Sequence, residues 1–142
     1  LKGGQPIHSV SFKIGTVRSL NNVVNQKKWG ELEKWIKKYT LLHPEIYLLG
    51  SGGNINKLHK MANLNDDEPI TFSALSTLYD KLSQVTYEDR IIKYRLKPDR
   101  SDVIIPAAEL LLKTLKWSGA KVIYVPKIGL SDGMIRELYK RK

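Results

Sequence analysis

The segment YLLGSGGN, residues 47–54, places a glycine-rich turn between two apolar patterns of different period. The run before the turn, EIYLLG, predicts a short buried strand, and the apolar residues from Ile55 to Leu64 recur at helical spacing. Such a turn can hold a phosphate, because glycine lets the backbone approach an oxyanion and the first helical turn offers unpaired amides. It can equally be a tight connection and nothing more. The segment matches neither the GxGxxG fingerprint nor the P-loop, so both interpretations stay open here.

Strands and helices alternate along the rest of the chain. Residues 6–15, PIHSVSFKIG, predict a strand, and helical spacing from about Ser19 to Tyr39 predicts a helix that Gly30 could break. The periodicity then predicts two helices, a long helix, a strand and a basic last helix, over residues 72–85, 87–94, 103–119, 121–126 and 131–142. The predicted caps are Thr71, Thr86, Ser131 and, at a C-terminus, Gly119. This order predicts an α/β fold with mainly parallel central strands.

The composition is that of a globular domain with a strong basic excess. The chain of 142 residues carries a formal net charge of +10 and contains no cysteine. The charge favours polyanionic partners, although a lysine-rich solvated surface would give the same total. Without cysteine the chain forms neither a disulfide nor a thiolate metal site, and we expect a cytoplasmic protein. No apolar run approaches the roughly 20 residues that a membrane span needs, so we expect no membrane partner.

Two turns and one arginine are the candidate anion-binding groups. They comprise the glycine turn, the turn IGTVR at residues 14–18 and an arginine just before the long helix. The candidate residues are Gly15, Thr16, Arg18, Gly50, Ser51, Gly52, Gly53 and Arg100. Each group has a purely structural alternative: the turns could only connect elements, and Arg100 could pair with Asp99 or Asp102 at the surface. Asp99 or Ser101 is expected to cap the long helix.

Other reactive side chains form no recognisable site in the sequence. The three histidines, His8, His43 and His59, are scattered and lack a metal-binding spacing. No GxSxG elbow is present, and the acidic loop at residues 66–68 is interpreted as a solvated turn. The sequence therefore predicts no complete catalytic constellation and no metal ligand.

Four segments carry a resemblance to a known family. They are SVSFKIGTVR (residues 9–18), YLLGSGGN (47–54), PDRSDVIIPAAELL (98–111) and KVIYVPKIGLSDGMIRELY (121–139). In this order they resemble the strand and turn, the glycine turn, the helix start and the closing strand and helix of the exopolyphosphatase/guanosine pentaphosphate phosphatase (Ppx/GppA) family. The chain departs from the family pattern at Asn54, where threonine is usual, and at Ser131-Asp132, where Arg-Glu is usual.

The resemblance implies one lobe of the actin-like, ribonuclease H-like ATPase fold, with a truncated central sheet and helices on both faces. Residues 1–142 would be the second lobe of a Ppx/GppA phosphatase domain, without the first lobe and without the first strands of this lobe. The residues agree with such a truncation, because Gly3-Gly4 predicts a hairpin turn whose first strand would precede Leu1. This first strand would be the partner of the strand predicted at residues 6–15.

The resemblance also implies roles for the candidate residues. Gly15 and Thr16 match the turn that faces the terminal phosphate in the family, and Arg100 matches an arginine that contacts the polyanion. The turn from Gly50 to Gly53 matches the one that faces the adenosine side in nucleotide-binding relatives.

The function that the resemblance implies is release of terminal orthophosphate from polyphosphate or guanosine pentaphosphate by the parent protein. The catalytic carboxylate would lie in the first lobe, with Mg²⁺ as the cofactor of the intact enzyme and no metal ligand in this chain. We expect the substrate rather than nucleic acid as the partner, and a homodimer as the full-length state. Two alternatives remain open: a non-catalytic basic module that binds polyanions, and a lobe of an actin-like kinase or ATPase.

Overall fold

A computed structural model describes residues 7–16 and 26–140 of the chain. Its helices are α1 (Gln26–Thr40), α2 (Gly53–Met61), α3 (Phe72–Ser83), α4 (Tyr87–Tyr94), α5 (Pro98–Ser101), α6 (Ile104–Ser118) and α7 (Leu130–Lys140). Its strands are β1 (Leu48–Leu49), β2 (Ile70–Thr71) and β3 (Val122–Tyr124). The predicted alternation of strands and helices is confirmed, although the strands are shorter than their apolar runs.

The three strands form one small mixed sheet in the order β1-β3-β2. The strand β3 lies in the middle, parallel to β1 and antiparallel to β2. Ile123 is in register with Leu48 on one side and with Ile70 on the other, so these three side chains share the core face. The next pair in register, Leu49 and Tyr124, is exposed. The antiparallel strand β2 lies in a segment that the sequence predicted as a loop followed by a helix cap.

Three helices supply most of the core against this sheet. The apolar residues of α3 and α6 recur at three- and four-residue intervals, which places them on one face of each helix. The buried apolar residues of these helices and of α2 are Ile55, Leu58, Leu75, Leu78, Leu82, Ile104, Ala107, Ala108 and Leu115. The core therefore fixes α2 against β1 and α6, which positions the glycine turn between them.

Several predicted helix ends are confirmed. The Thr71 side chain accepts a hydrogen bond from the amide of Ala74 at 3.1 Å, and Thr86 does the same for Asp89 at 3.1 Å. Gly119 ends α6 in the left-handed conformation, with φ 73°. These caps satisfy amides and carbonyls that a helix end otherwise leaves unpaired.

The strand predicted at residues 6–15 is wrong for its described part. A strand needs a partner for its backbone hydrogen bonds, and the described sheet does not pair with residues 7–15. This segment instead packs against α1, where the Phe12 ring contacts Trp35 edge-on at 5.9 Å and the His8 ring lies 4.1 Å from Tyr39.

Other helix predictions also need correction. The helix α1 continues through Gly30 without a break, and α7 begins at Leu130, one residue before the cap predicted at Ser131. Neither Asp99 nor Ser101 caps the long helix, because both belong to the separate short helix α5. Three predicted features lie outside the described residues: the hairpin turn at Gly3-Gly4, the helix start at Ser19, and Arg18.

Candidate functional site

The glycine turn begins where β1 separates from β3. The Gly50 amide donates to the Tyr124 carbonyl at 2.8 Å, which is the last ladder bond before the chain turns. A Cβ atom on Gly50 would lie 2.1 Å from Cδ1 of Ile55 and 3.0 Å from Cγ2 of Ile123. Both isoleucines belong to the core. Gly50 is therefore required by the close packing of α2 on the sheet.

Gly52 is the second residue of the turn that has to be glycine, because of its backbone conformation. Its φ of 114° and ψ of 167° belong to a region that is essentially restricted to glycine. Gly52 is the N-cap residue of α2, and no side chain of the described residues caps this helix. The amides of the first turn of α2 therefore keep hydrogen-bonding capacity in the positive field of the helix N-terminus.

The turn and Thr16 both line a groove of about 220 Å³. The lining residues are Thr16, Gly50, Ser51, Gly52, Gly53, Asn54, Ile55, Ala107, Leu110 and Leu111. Two turns that the sequence identified therefore meet at this groove: IGTVR contributes Thr16, and the glycine turn contributes residues 50–53. Gly15 precedes Thr16 and is not among the residues that line the groove.

Arg100 contacts the turn from outside the groove. Its Nη1 atom donates a 2.6 Å hydrogen bond to the Gly53 carbonyl oxygen. A Cβ atom on Gly53 would meet the guanidinium at 2.8 and 2.9 Å, so glycine is needed here for the arginine to approach. In the part of the chain that the structure describes, neither Asp99 nor Asp102 forms an ion pair with Arg100. The surface-pair interpretation of Arg100 is therefore wrong for these carboxylates.

Two lysines of α2 extend this positive region, and the sequence reasoning missed them. The Lys57 ammonium lies 3.3 Å from the Tyr94 carbonyl oxygen and 3.4 Å from that of Arg95, at the end of α4. Burial, and then the nearby charges of Lys60 and Arg100, lower the pKa of Lys57 below its ordinary 10.5. The spacing of Gly53, Lys57 and Lys60 was the available signal, since residues four and seven apart share a helix face.

No protein-family model matches the sequence, and no curated protein matches it. Solved structures do match. An exopolyphosphatase from Cytophaga hutchinsonii is 16% identical with a TM-score of 0.75, over 95% of this chain and 50% of that one. The type II variant of the Aquifex aeolicus Ppx/GppA phosphatase is 22% identical with a TM-score of 0.70, over 89% of this chain and 47% of that one. This chain has the fold of one lobe of a Ppx/GppA phosphatase.

The comparison confirms the predicted fold class. The chain spans about half the length of the solved structures that it matches. At these identities the likeness shows the fold alone. In this Ppx/GppA-type lobe, the groove lined by Thr16 and the glycine turn lies beside the cations Arg100 and Lys57.

The acidic and histidine side chains of this lobe are dispersed. Within residues 7–16 and 26–140, no three histidine, aspartate or glutamate side chains come together as a metal site. Buried His59 interacts through Nε2 with the Glu68 carbonyl oxygen at 2.7 Å, and Asp66 forms an ion pair with Lys127. Among the described residues there is therefore no preformed cluster of three such ligands for a magnesium ion. Across the same ranges, no helix has the length and apolar character that crossing a bilayer would take.

Proposed function

We propose that this chain is the substrate-holding lobe of a phosphoanhydride hydrolase that releases terminal orthophosphate from polyphosphate or guanosine pentaphosphate. The observation that carries the proposal is the groove between Thr16 and the uncapped start of α2, with Arg100 fixed against Gly53 beside it. The likeness to an exopolyphosphatase and to a Ppx/GppA phosphatase supports the same reaction class.

The groups around this groove suit a phosphate. Backbone amides at the start of α2 can donate to phosphate oxygens, and the helix dipole favours a negative charge there. The Thr16 hydroxyl can donate a further hydrogen bond. The guanidinium of Arg100 uses one of its five N–H donors on Gly53, and its planar shape suits two-point contact with a phosphate.

In this proposal, substrate binding and activation of the attacking water belong to different lobes of the intact protein. It would hold and orient the polyanion, while a carboxylate on another lobe of the intact protein would activate the attacking water. Mg²⁺ would supply charge neutralisation at the transferred phosphoryl group, with ligands outside this chain. We also propose a cytoplasmic location and a homodimer for the full-length protein. The 142-residue chain alone should then bind polyanions without hydrolysing them.

The deciding experiment measures orthophosphate release by the intact protein, with Mg²⁺ at neutral pH, from long-chain polyphosphate and from guanosine pentaphosphate. We expect release from at least one substrate, and a strong fall in release for Arg100→Ala. The matched control is Lys121→Ala. This substitution removes an exposed cation just before β3, at the end of the strand away from the glycine turn. Absence of release from both substrates, or equal effects of the two substitutions, would contradict the proposal.

A second candidate is a non-catalytic module that binds polyanions, which the net charge of +10 favours. It predicts binding that falls steeply with salt, without orthophosphate release, and with no special dependence on Arg100. An actin-like kinase or ATPase would instead show tight, saturable ATP binding by the intact protein. The same protein and variants therefore separate the three functions.

A further inference from the structure

A second cavity, of about 700 Å³, lies towards the C-terminal end of α2, away from the glycine turn at the start of that helix. Its lining includes the apolar side chains of Leu64 and Val125 and the buried His59. It also includes Asp66 and Lys127, which form an ion pair with each other. A cavity of this size suits a small molecule, and apolar walls with a few polar groups are typical of such sites.

The segment that carries Asp66 is a tight turn with both ends fixed. The Glu68 amide donates to the Asn65 carbonyl oxygen at 3.0 Å, and the Asn65 amide donates to the Glu68 carboxylate at 2.7 Å. Nε2 of His59 donates to the Glu68 carbonyl oxygen at 2.7 Å, which ties the turn to α2. The backbone of Asp66 is therefore held in place, while its carboxylate remains exposed.

Three side-chain carboxamides in this cavity keep their hydrogen-bonding capacity. They belong to Asn56, Asn63 and Asn65. None of the three carboxamides hydrogen-bonds to another group within residues 7–16 and 26–140. Each carboxamide offers N–H donors and an acceptor oxygen to a ligand. The cavity therefore suits a molecule that carries both donors and acceptors.

The ion pair of Asp66 and Lys127 places an acceptor and a donor side by side. The carboxylate only accepts hydrogen bonds, and the ammonium only donates them. A planar ring edge with two N–H donors next to a carbonyl oxygen matches this order, because both donors meet the carboxylate and the oxygen meets the ammonium. The 2-amino-4-oxopyrimidine edge of guanine and of pterins has this pattern. Adenine has a single donor beside a ring-nitrogen acceptor and makes one contact fewer.

We propose that this cavity binds a heterocycle with a 2-amino-4-oxopyrimidine edge, from a guanine nucleoside or from a pterin. Asp66 accepts hydrogen bonds from the ring N–H and the amino group, and Lys127 donates to the carbonyl oxygen. The face of the ring packs on Leu64 and Val125. The cavity shares no lining residue with the groove assigned to the phosphate, so this binding is independent of the proposed function.

The test measures the Kd of guanosine, inosine, adenosine and neopterin for the intact protein by ligand-observed NMR titration. These four probes carry no phosphate, so groups that attract polyanions do not contribute. Asp66→Asn removes the charge and one acceptor oxygen from the site, and Lys127→Met removes the donor. The matched control is Glu109→Gln, which changes a carboxylate in a different ion pair, that with Lys113 on α6.

We expect the tighter of guanosine and neopterin to bind at least about tenfold more tightly than adenosine. Inosine lacks the amino group, so its Kd should fall between those of guanosine and adenosine. Asp66→Asn and Lys127→Met should each raise the Kd of the tighter ligand by at least about tenfold, because each removes a charge-assisted hydrogen bond. Glu109→Gln should leave it within about threefold of the unmodified protein.

Binding of adenosine as tightly as guanosine and neopterin would overturn the assignment, and so would no detectable binding of either ligand. Equal effects of Asp66→Asn and Glu109→Gln would also overturn it. Because the Asp66–Lys127 pair is exposed, both variants of the pair should keep the thermal unfolding midpoint of the unmodified protein, which separates loss of binding from loss of structure. The ratio of the guanosine and neopterin Kd values then identifies the source of the ring.

Discussion

The guanidinium of Arg100 occupies the space in which residue 53 would carry a side chain, and its Nη1 atom donates to the Gly53 carbonyl oxygen at 2.6 Å. Two motifs 47 residues apart in the sequence thereby meet at one helix turn. A carbonyl partner orients the arginine without neutralising it, so its charge remains available to an anion. The glycine is therefore part of the site even though it contributes no side chain.

Substitution of Gly53 by alanine tests this relationship. The new Cβ would lie 2.8 Å from Nη2 of Arg100, and because the guanidinium ends a flexible side chain, the arginine should move and the fold should survive. We expect Gly53→Ala to weaken polyphosphate binding by at least about tenfold, since a hydrogen bond to a charged group contributes about 1.5–3 kcal/mol. Calorimetric Kd values for the intact protein measure the effect.

The double variant Gly53→Ala/Arg100→Ala provides the control for this prediction. If both substitutions act through the guanidinium, the double variant should bind no more weakly than Arg100→Ala alone. Losses that add fully in the double variant would show that Gly53 acts independently of Arg100.

The packing role of Gly50 gives a prediction about stability. A Cβ atom here would lie 2.1 Å from Ile55 and 3.0 Å from Ile123, both in the core. We expect Gly50→Ala to lower the free energy of unfolding by about 1–3 kcal/mol, as overpacked cores do. The matched control is Gly30→Ala inside α1, where a Cβ meets nothing within 4 Å. It should raise stability by about 0.5–1 kcal/mol, because alanine favours a helix interior. Urea unfolding measures both, and an unchanged midpoint for Gly50→Ala would contradict the argument.

The backbone of Gly52 gives a second stability prediction with a different cause. A Cβ atom at Gly52 would meet nothing within 4 Å, so any cost of a side chain arises from its φ of 114°. We expect Gly52→Ala to destabilise by about 1–3 kcal/mol through backbone strain. Gly133→Ala is the matched control, since Gly133 lies inside α7 with equally open surroundings. Thermal unfolding compares the Gly52→Ala and Gly133→Ala variants. Equal shifts of their midpoints would show that a side chain at position 52 causes no backbone strain.

The sequence predicted the parts of this fold that local chemistry determines. Thr71 and Thr86 are helix caps, and Gly119 ends α6, because each satisfies helix-end groups within a few residues of itself. The strand-turn-helix unit around YLLGSGGN was predicted for the same reason. The apolar periods of α3 and α6 also identified their core faces correctly.

Contacts between distant segments could not be predicted in this way. A strand at residues 6–15 was expected from its alternation, but strand formation depends on a partner, and the described part packs on α1 instead. Likewise, Arg100 has two carboxylates near it in sequence, yet its partner is the Gly53 carbonyl. The end of α4 at residue 94 was predicted, but its placement beside Lys57, 37 residues away in sequence, was not.

The pH dependence of polyphosphate binding provides the last prediction. Because burial and the charges of Lys60 and Arg100 lower the pKa of Lys57 below 10.5, this ammonium loses its proton at a lower pH than an ordinary lysine does. Its contribution to binding is therefore complete well below the lowered pKa and is lost as the pH rises through it. Protein stability should respond in the opposite sense, since deprotonation removes the cost of burying the Lys57 charge and its repulsion from Lys60 and Arg100.

Lys57→Arg isolates this effect, because arginine keeps its charge throughout the range. We expect the Kd of the unmodified protein for long-chain polyphosphate to rise at a pH below 10.5, where an ordinary lysine is still protonated, while that of Lys57→Arg rises less. Lys116→Arg, at the far end of α6, is the matched control and should follow the unmodified protein. Superimposable profiles for Lys57→Arg and the unmodified protein would show that Lys57 does not contact the bound chain. A difference confined to Lys57→Arg would place the phosphates of that chain beside α2.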